Sequence, residues 1–244
     1  MIDEIKDIAR DAGAAIMDIY RSNDFDVQKK ADDSPVTKAD LAAHNIICEG
    51  LRALDIQYPV ISEESSAISW AQRKHWCRYW LVDPLDGTKE FIKRNDEFTV
   101  NIALIEKGVP ILGVVYAPAL DAMYTGERDR CAFLNDKAIS VAMQEPETLR
   151  VVGSRSHPSQ ETTAWLDALG KPYEMLAVGS SLKFCLLAEG KADIYPRLGA
   201  TSEWDTAAAH AVLSAAGGDV LTFSGEPLLY NQKEDYLNPH FIAR

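Results

Sequence analysis

At 244 residues, with 47% hydrophobic residues and a formal charge of −12, the chain is long enough for one large domain or two small ones sharing an interface. The acidic balance argues against polymeric nucleic acid as a partner, because phosphate backbones need basic surface. No apolar run approaches the roughly 18 residues of a membrane helix, and the acidic start MIDEIKDIAR resembles neither a signal nor a transit peptide, so a soluble, cytoplasmic protein is expected.

Ile2, Ile5, Ile8, Ala12, Ile16 and Ile19 recur at helical spacing and predict an amphipathic first helix over residues 2–20. A second helix follows SPVTKAD, with Leu41, Ile47, Cys48, Leu51 and Leu54 as its apolar stripe. YPVIS then reads as a short buried strand that runs into Glu63 and Glu64. From Tyr79 to Arg128 the runs YWLVD, FTVNIALIE, PILGVVYAP and DAMYTGE read as strands. The turn signals EKGVP and APALD make most of them antiparallel neighbours. Beyond about Met143, LRVVGSRS, YEMLAV and ADIYPR alternate as strands with helices at SQETTAWLDAL, SSLKFCLLAEG and WDTAAAHAVLSAAGG, an α/β rhythm. AMQEPET is the expected junction, dividing the chain into 1–143 and 144–244. Cys48, Cys77, Cys131 and Cys185 form no C-x-x-C pair, which indicates neither zinc nor a redox dithiol; reduced, packed thiols are expected. Trp76, Tyr79 and Trp80 read as packing aromatics.

Four places end an apolar run with acid: VTKAD (Asp40), ISEES (Glu63, Glu64), LVDPLDGT (Asp83, Asp86) and EWDTA (Asp205). Each alone has a plain explanation. Asp40 and Asp205 suit helix starts, Glu63-Glu64 a solvated loop, and Asp83-Pro84 a turn at which the strand should stop. Converging, they would build an oxygen-rich site for a hard cation, with Mg²⁺ the usual occupant in phosphoryl chemistry. A phosphatase with an aspartyl nucleophile uses D-x-D, whereas the interval here is D-x-x-D, which argues against a covalent aspartyl-phosphate. A D-P-L-D turn can offer two carboxylates and the Leu85 carbonyl to metal.

WLVDPLDGTKEF, with VTKAD and SEES upstream and WDTAAAHAVLSAAGG downstream, resembles the lithium-sensitive, magnesium-dependent phosphomonoesterases of the inositol monophosphatase superfamily. The likeness spans essentially the whole chain, in order. DGTKEFIKR and GSSLKFCLLAEGKADIYPR are most similar to the bacterial 3'(2'),5'-bisphosphate nucleotidases of sulfur assimilation; inositol monophosphatases more typically carry Asn-Phe after D-G-T. The resemblance implies a layered α/β sandwich of two closely packed halves, of the inositol monophosphatase/fructose-1,6-bisphosphatase type. It implies that Glu63, Asp83 and the Leu85 carbonyl hold a first Mg²⁺, and Asp83, Asp86 and Asp205 a second. A third, weaker ion would sit near Glu63 and Asp40. Thr88 would pass the proton of the attacking water to Asp40. Gly87, Thr88, His157, Ser180, Lys183, Arg197 and Asp205 would contact a small phosphorylated nucleotide. The family also allows a peripheral place on the cytoplasmic face of the inner membrane. One departure stands out: the family often has Gly before the paired acids, where this chain has Ser62. Glu63 is taken as the ligand, with Glu64 as the alternative.

Three readings compete. The first is hydrolysis of 3'-phosphoadenosine 5'-phosphate to AMP and phosphate. The second keeps the chemistry on inositol monophosphate or a sugar bisphosphate. The third is a non-catalytic metal or nucleotide binder, which would need no Asp40–Thr88 base.

Overall fold

The computed structural model describes residues 1–22, 25–29, 35–144, 146–154 and 160–244. The first half runs α1 (Ile2–Ser22), β1 (Gln28–Lys29), β2 (Pro35–Val36), α2 (Lys38–Ala53), β3 (Val60–Ser62), α3 (Trp70–Arg73), β4 (Arg78–Asp86), α4 (Thr88–Lys93), β5 (Thr99–Glu106), β6 (Val109–Ala117), β7 (Ala122–Glu127), β8 (Ala132–Leu134) and β9 (Lys137–Ile139). The second runs β10 (Leu149–Ser154), α5 (Gln160–Ala168), β11 (Tyr173–Val178), α6 (Leu182–Ala188), β12 (Tyr195–Arg197), α7 (Glu203–Ala215), β13 (Val220–Thr222) and β14 (Phe241–Ala243). No helix among the described residues is long and apolar enough to cross a membrane.

A seven-stranded sheet in the order β3-β4-β5-β6-β7-β8-β9 forms the centre. Its strands are antiparallel neighbours, as the turn signals predict, except that β3 runs parallel to β4. Alternation along β4 sorts its side chains: Trp80 and Val82 join the core with Ile5, Ile16 and Ile47 of α1 and α2. Tyr79 and Leu81 join the opposite core, with residues of α6 and α7. A strand covered on both faces needs apolar residues at every position, which is why YWLV is continuous.

α7 lies closer to the sheet than side chains would allow. Gly113 on β6 and Gly126 on β7 are register partners. A Cβ at Gly113 would fall 2.1 Å from the Ala208 carbonyl oxygen, and one at Gly126 2.6 Å from the Val212 Cα. The paired glycines and the alanine-rich helix face thus bring two backbones into contact, and α7 carries Asp205 on its first turn.

Beyond the central sheet, β10 and β11 pair in parallel, while β12, β14 and β13 form an antiparallel sheet. Three expectations need correction. Leu41 is exposed rather than part of the α2 stripe; Ala39 and Ala43 fill that face instead. Cys77 and Cys131 are exposed, and only Cys48 and Cys185 are buried, all four as free thiols. β4 does not stop at Asp83. It continues to Asp86 through an irregularity in its pairing with β5, and a bulge is where a strand tolerates proline such as Pro84.

Candidate active site

Thr37 caps α2, and its backbone N–H and hydroxyl each donate to Asp40 Oδ2 at 2.7 Å. The cap reading of Asp40 is therefore right, yet incomplete. The other carboxylate oxygen, Oδ1, accepts from the Thr88 hydroxyl at 3.2 Å, a distance slightly long for such a bond. That hydroxyl also lies 3.4 Å from the Leu85 carbonyl. Burial pushes the Asp40 carboxyl up to about 6, opposed by the Thr37 bonds and reinforced by Glu64 and Glu63. Asp40 and Thr88, 48 residues apart in sequence, meet only in the fold.

Three aspartates and Glu63 gather beside that pair. Asp83 is buried and accepts from the Leu85 N–H at 3.0 Å. Burial raises its pKa well above the ordinary value, and the charges of Glu63, Asp86 and Asp205 raise it further. Asp86 is pushed up to about 6 by burial, against the pull of Lys183 and of the Ser181 N–H. Asp205 reaches about 8 through burial and repulsion from Asp86, although the Ser202 N–H donates to its Oδ2 at 2.8 Å. Glu63 starts a 3-10 turn directly after β3. Its charge acts on Asp83, Asp86 and Asp205, and together with Glu64 on Asp40. Ser62, the departure noted above, is fully buried with its hydroxyl 2.8 Å from His44 Nδ1. The contact ties α2, which carries Asp40, to the strand that delivers Glu63.

No three carboxylate, imidazole or thiolate groups among the described residues are drawn close enough together to enclose an ion as they stand. The donor chemistry fits a hard divalent cation all the same. The groups are carboxylate oxygens, Asp83 buried and the others half-buried, and burial with mutual repulsion raises the proton affinity of the three aspartates, which a dication would relieve.

Against the aspartates opens a cavity of about 120 Å³ whose lining includes Asp86, Gly87, Ser180, Lys183, Arg197 and Asp205. Gly87 has φ +93, and a Cβ there would sit 3.0 Å from the Glu97 carbonyl; glycine meets both demands. The buried Lys183 ammonium donates to the Ser180 carbonyl at 2.6 Å and to that of Val178 at 3.3 Å. Burial lowers its pKa to about 8. Arg197 donates from Nη2 to the Ala200 carbonyl at 2.8 Å, and its buried Nε has no partner in the protein. His157 lies outside the described residues. A larger cavity of about 670 Å³, lined by Leu149, Trp165 and Ile194 among others, contains none of the predicted site residues.

Sequence reasoning missed Lys89, Tyr195 and Thr201, which also line the smaller cavity. It missed as well a buried polar chain formed by Thr99, Asn101 and Ser181. A signal existed for the chain: Thr and Asn interrupt the apolar run FTVNIALIE at alternate positions, hence on one face of the strand.

Residues 1–241 match the inositol monophosphatase family. The chain belongs to that family. It is 53% identical to the 3'(2'),5'-bisphosphate nucleotidase CysQ of Escherichia coli K12, over 99% of this chain and 98% of that protein. Among solved structures, CysQ from Bacteroides thetaiotaomicron, described as a bacterial member of the inositol monophosphatase family, superposes with a TM-score of 0.88 at 41% identity. That match covers 100% of this chain and 96% of the other. An inositol monophosphatase from Anabaena gives 0.76 at 25% identity, over 99% and 89% of the two chains. Family membership agrees with the layered α/β architecture, and the full-length matches leave no part of the chain outside the shared fold.

Proposed function

We propose that the protein is a divalent-cation-dependent phosphomonoesterase that hydrolyses 3'-phosphoadenosine 5'-phosphate to AMP and phosphate, in the cytoplasm. The observation that carries this reading is the group formed by buried Asp83 with half-buried Glu63, Asp86 and Asp205 beside the Asp40–Thr88 pair. The full-length likeness to bisphosphate nucleotidases supports the choice of substrate.

Glu63, Asp83 and the Leu85 carbonyl would hold one Mg²⁺, and Asp83, Asp86 and Asp205 a second, with a third, weaker site near Glu63 and Asp40. Mg²⁺ bound there supplies charge neutralisation at the phosphoryl group and acidifies water. The remaining work falls to the chain's own groups. Thr88 hydrogen-bonds the attacking water and relays its proton to Asp40, whose raised pKa makes it a stronger base than an exposed aspartate. As the water oxygen bonds to phosphorus, the bond to the ribose 3'-oxygen breaks, and that oxygen takes its proton from solvent. Lys183 and Arg197 offset the charge of the second phosphate, Arg through its planar fork, with Gly87, Ser180 and His157 as further substrate contacts.

Phosphate release with Mg²⁺ should be measured on 3'-phosphoadenosine 5'-phosphate, inositol 1-phosphate and fructose 1,6-bisphosphate. The reading expects the nucleotide to give the highest kcat/KM. A preference for inositol phosphate would move the protein to the second reading, and no release from any of them would leave a binding protein.

A further inference from the structure

Asn101 should be costly where it stands. It lies in the middle of β5, 1% exposed, among valines, isoleucines and leucines, and a buried amide without partners costs a few kcal/mol at most sites. Its partners are all polar groups at the edge of the candidate site. The Ser181 hydroxyl donates to Asn101 Oδ1 at 2.9 Å. With its oxygen so engaged, the amide turns its NH₂ toward Asp86 Oδ2, at 3.5 Å the longest contact of the set. Thr99 Oγ1 lies 2.9 Å from the Ser181 hydroxyl oxygen. Because Ser181 has a single proton, given to Asn101, Thr99 is the donor there.

The chain joins parts that are distant in sequence. Thr99 and Asn101 belong to the central sheet, and Ser181 stands at the start of α6 between Ser180 and Lys183. Across the strands, Asn101 is the register partner of Asp83 and Thr99 that of Asp86. The same serine therefore orients, by its side chain, the amide that faces Asp86, and itself lines the cavity.

We propose that Asn101 and Ser181 are positioning residues that lock the Asp86 carboxylate to the 179–183 loop, so that one buried hydrogen-bond chain sets both cation affinity and the grip on substrate. The inference rests on the assignment of Asp86 as a cation ligand. Groups that orient a metal-binding carboxylate typically change metal affinity or activity by about 10–100-fold when replaced. Asn101 and Ser181 touch neither the reacting phosphate nor the water in this scheme, so their effect must pass through Asp86 and the loop.

The test uses Asn101→Asp, Ser181→Ala and Thr99→Val in the full chain. Asn101→Asp keeps the shape but turns a donor facing Asp86 into a second carboxylate. Ser181→Ala removes the hydroxyl that engages Asn101 Oδ1 and frees the amide to rotate. Thr99→Val removes the outermost hydroxyl and leaves the Ser181–Asn101–Asp86 segment intact. Mg²⁺ affinity is measured by calorimetry without substrate, beside the melting temperature and kcat and KM for 3'-phosphoadenosine 5'-phosphate. Asn101→Asp should weaken Mg²⁺ binding about 10–100-fold and Ser181→Ala about tenfold, both raising KM as well. Thr99→Val should lower the melting temperature yet leave Mg²⁺ affinity within about twofold, since the Ser181–Asn101 bond that orients the amide toward Asp86 stays in place. Equal shifts in melting temperature for all three, with unchanged Mg²⁺ affinity, would reduce the chain to a structural one and overturn the proposal. If Asn101→Asp fails to fold, Ser181→Ala decides by the same readings. Wild-type protein that binds no divalent cation would instead defeat the functional reading on which this one stands.

Discussion

Replacing Gly113 by alanine tests how α7 is held. The new methyl carbon would lie 2.1 Å from the Ala208 carbonyl oxygen and 2.8 Å from the Ala211 Cβ, where ordinary contact begins at 3.4 Å. The first obstacle is backbone, so no rotamer change can relieve it. The helix or the strand must retreat by about 1 Å, and overpacking of this kind costs about 1–3 kcal/mol. At this chain length each kcal/mol lowers the melting temperature by roughly 2–4 °C, so a drop of roughly 2–12 °C is expected. Asp205 sits one turn before Ala208 on the same helix, and a displacement near 1 Å at a catalytic centre can cost about a hundredfold in rate. Gly153→Ala on β10 is the control, because its methyl would meet only the flexible end of Met175. It should change the melting temperature little. Thermal melts and kcat at saturating Mg²⁺ read both effects. If Gly113→Ala melted and turned over like wild type, the backbone contact between α7 and β6 would be wrong.

Four further outcomes are expected. Asp83→Asn should abolish turnover while raising the melting temperature of chelated protein, because it removes a buried charge crowded by Glu63, Asp86 and Asp205; near-normal activity at modest Mg²⁺ would contradict the ligand assignment. His210 is buried, 3.0 Å from the Tyr230 hydroxyl, with its pKa lowered to about 3 by burial. The unfolded chain therefore takes up a proton there first, and the stability that neutral His210 provides is complete above pH about 6.5 and lost as pH falls toward 3. Denaturant titrations of His210→Gln should show a shallower loss across that window, and an unchanged slope would refute the assignment. Arg197→Ala and Lys183→Ala should lower kcat/KM for the 3',5'-bisphosphate roughly ten- to a hundredfold, from about 1.5–3 kcal/mol per charge-assisted contact. A nucleotide carrying only the 3'-phosphate should suffer less, most clearly with Arg197→Ala, since Lys183 also braces the 178–180 backbone. Li⁺ should inhibit by competing for the site of Asp83, Asp86 and Asp205, and titrations without inhibition at high substrate would count against that site.

Much of the fold was legible because burial writes itself into local pattern. The helical spacing of Ile5 and Ile16 and the runs YWLVD and FTVNIALIE place α1, β4 and β5 with no knowledge of partners. The position of the acids was legible for a similar reason, since Asp83 and Asp86 close the apolar run YWLV and Asp205 stands on the first turn of the alanine-rich α7. Pairwise relations were not. Glu63 and Glu64 are adjacent and chemically alike; in the fold both act on Asp40, and Glu63 also acts on Asp83. Leu41 counted as core by hydropathy, yet the close packing of α1 on α2 is filled by Ala39 and Ala43. Asp83-Pro84 predicted a strand end, but pairing with β5 carried the strand on to Asp86. Sequence alone determined which segments must be buried and which residue types gather at their ends, because both follow from hydrophobicity and period. Tertiary structure decided which oxygen meets which hydrogen, as between Thr88 and Asp40 or Ser181 and Asn101, because hydrogen bonds act over about 3 Å between residues that only the completed fold brings together.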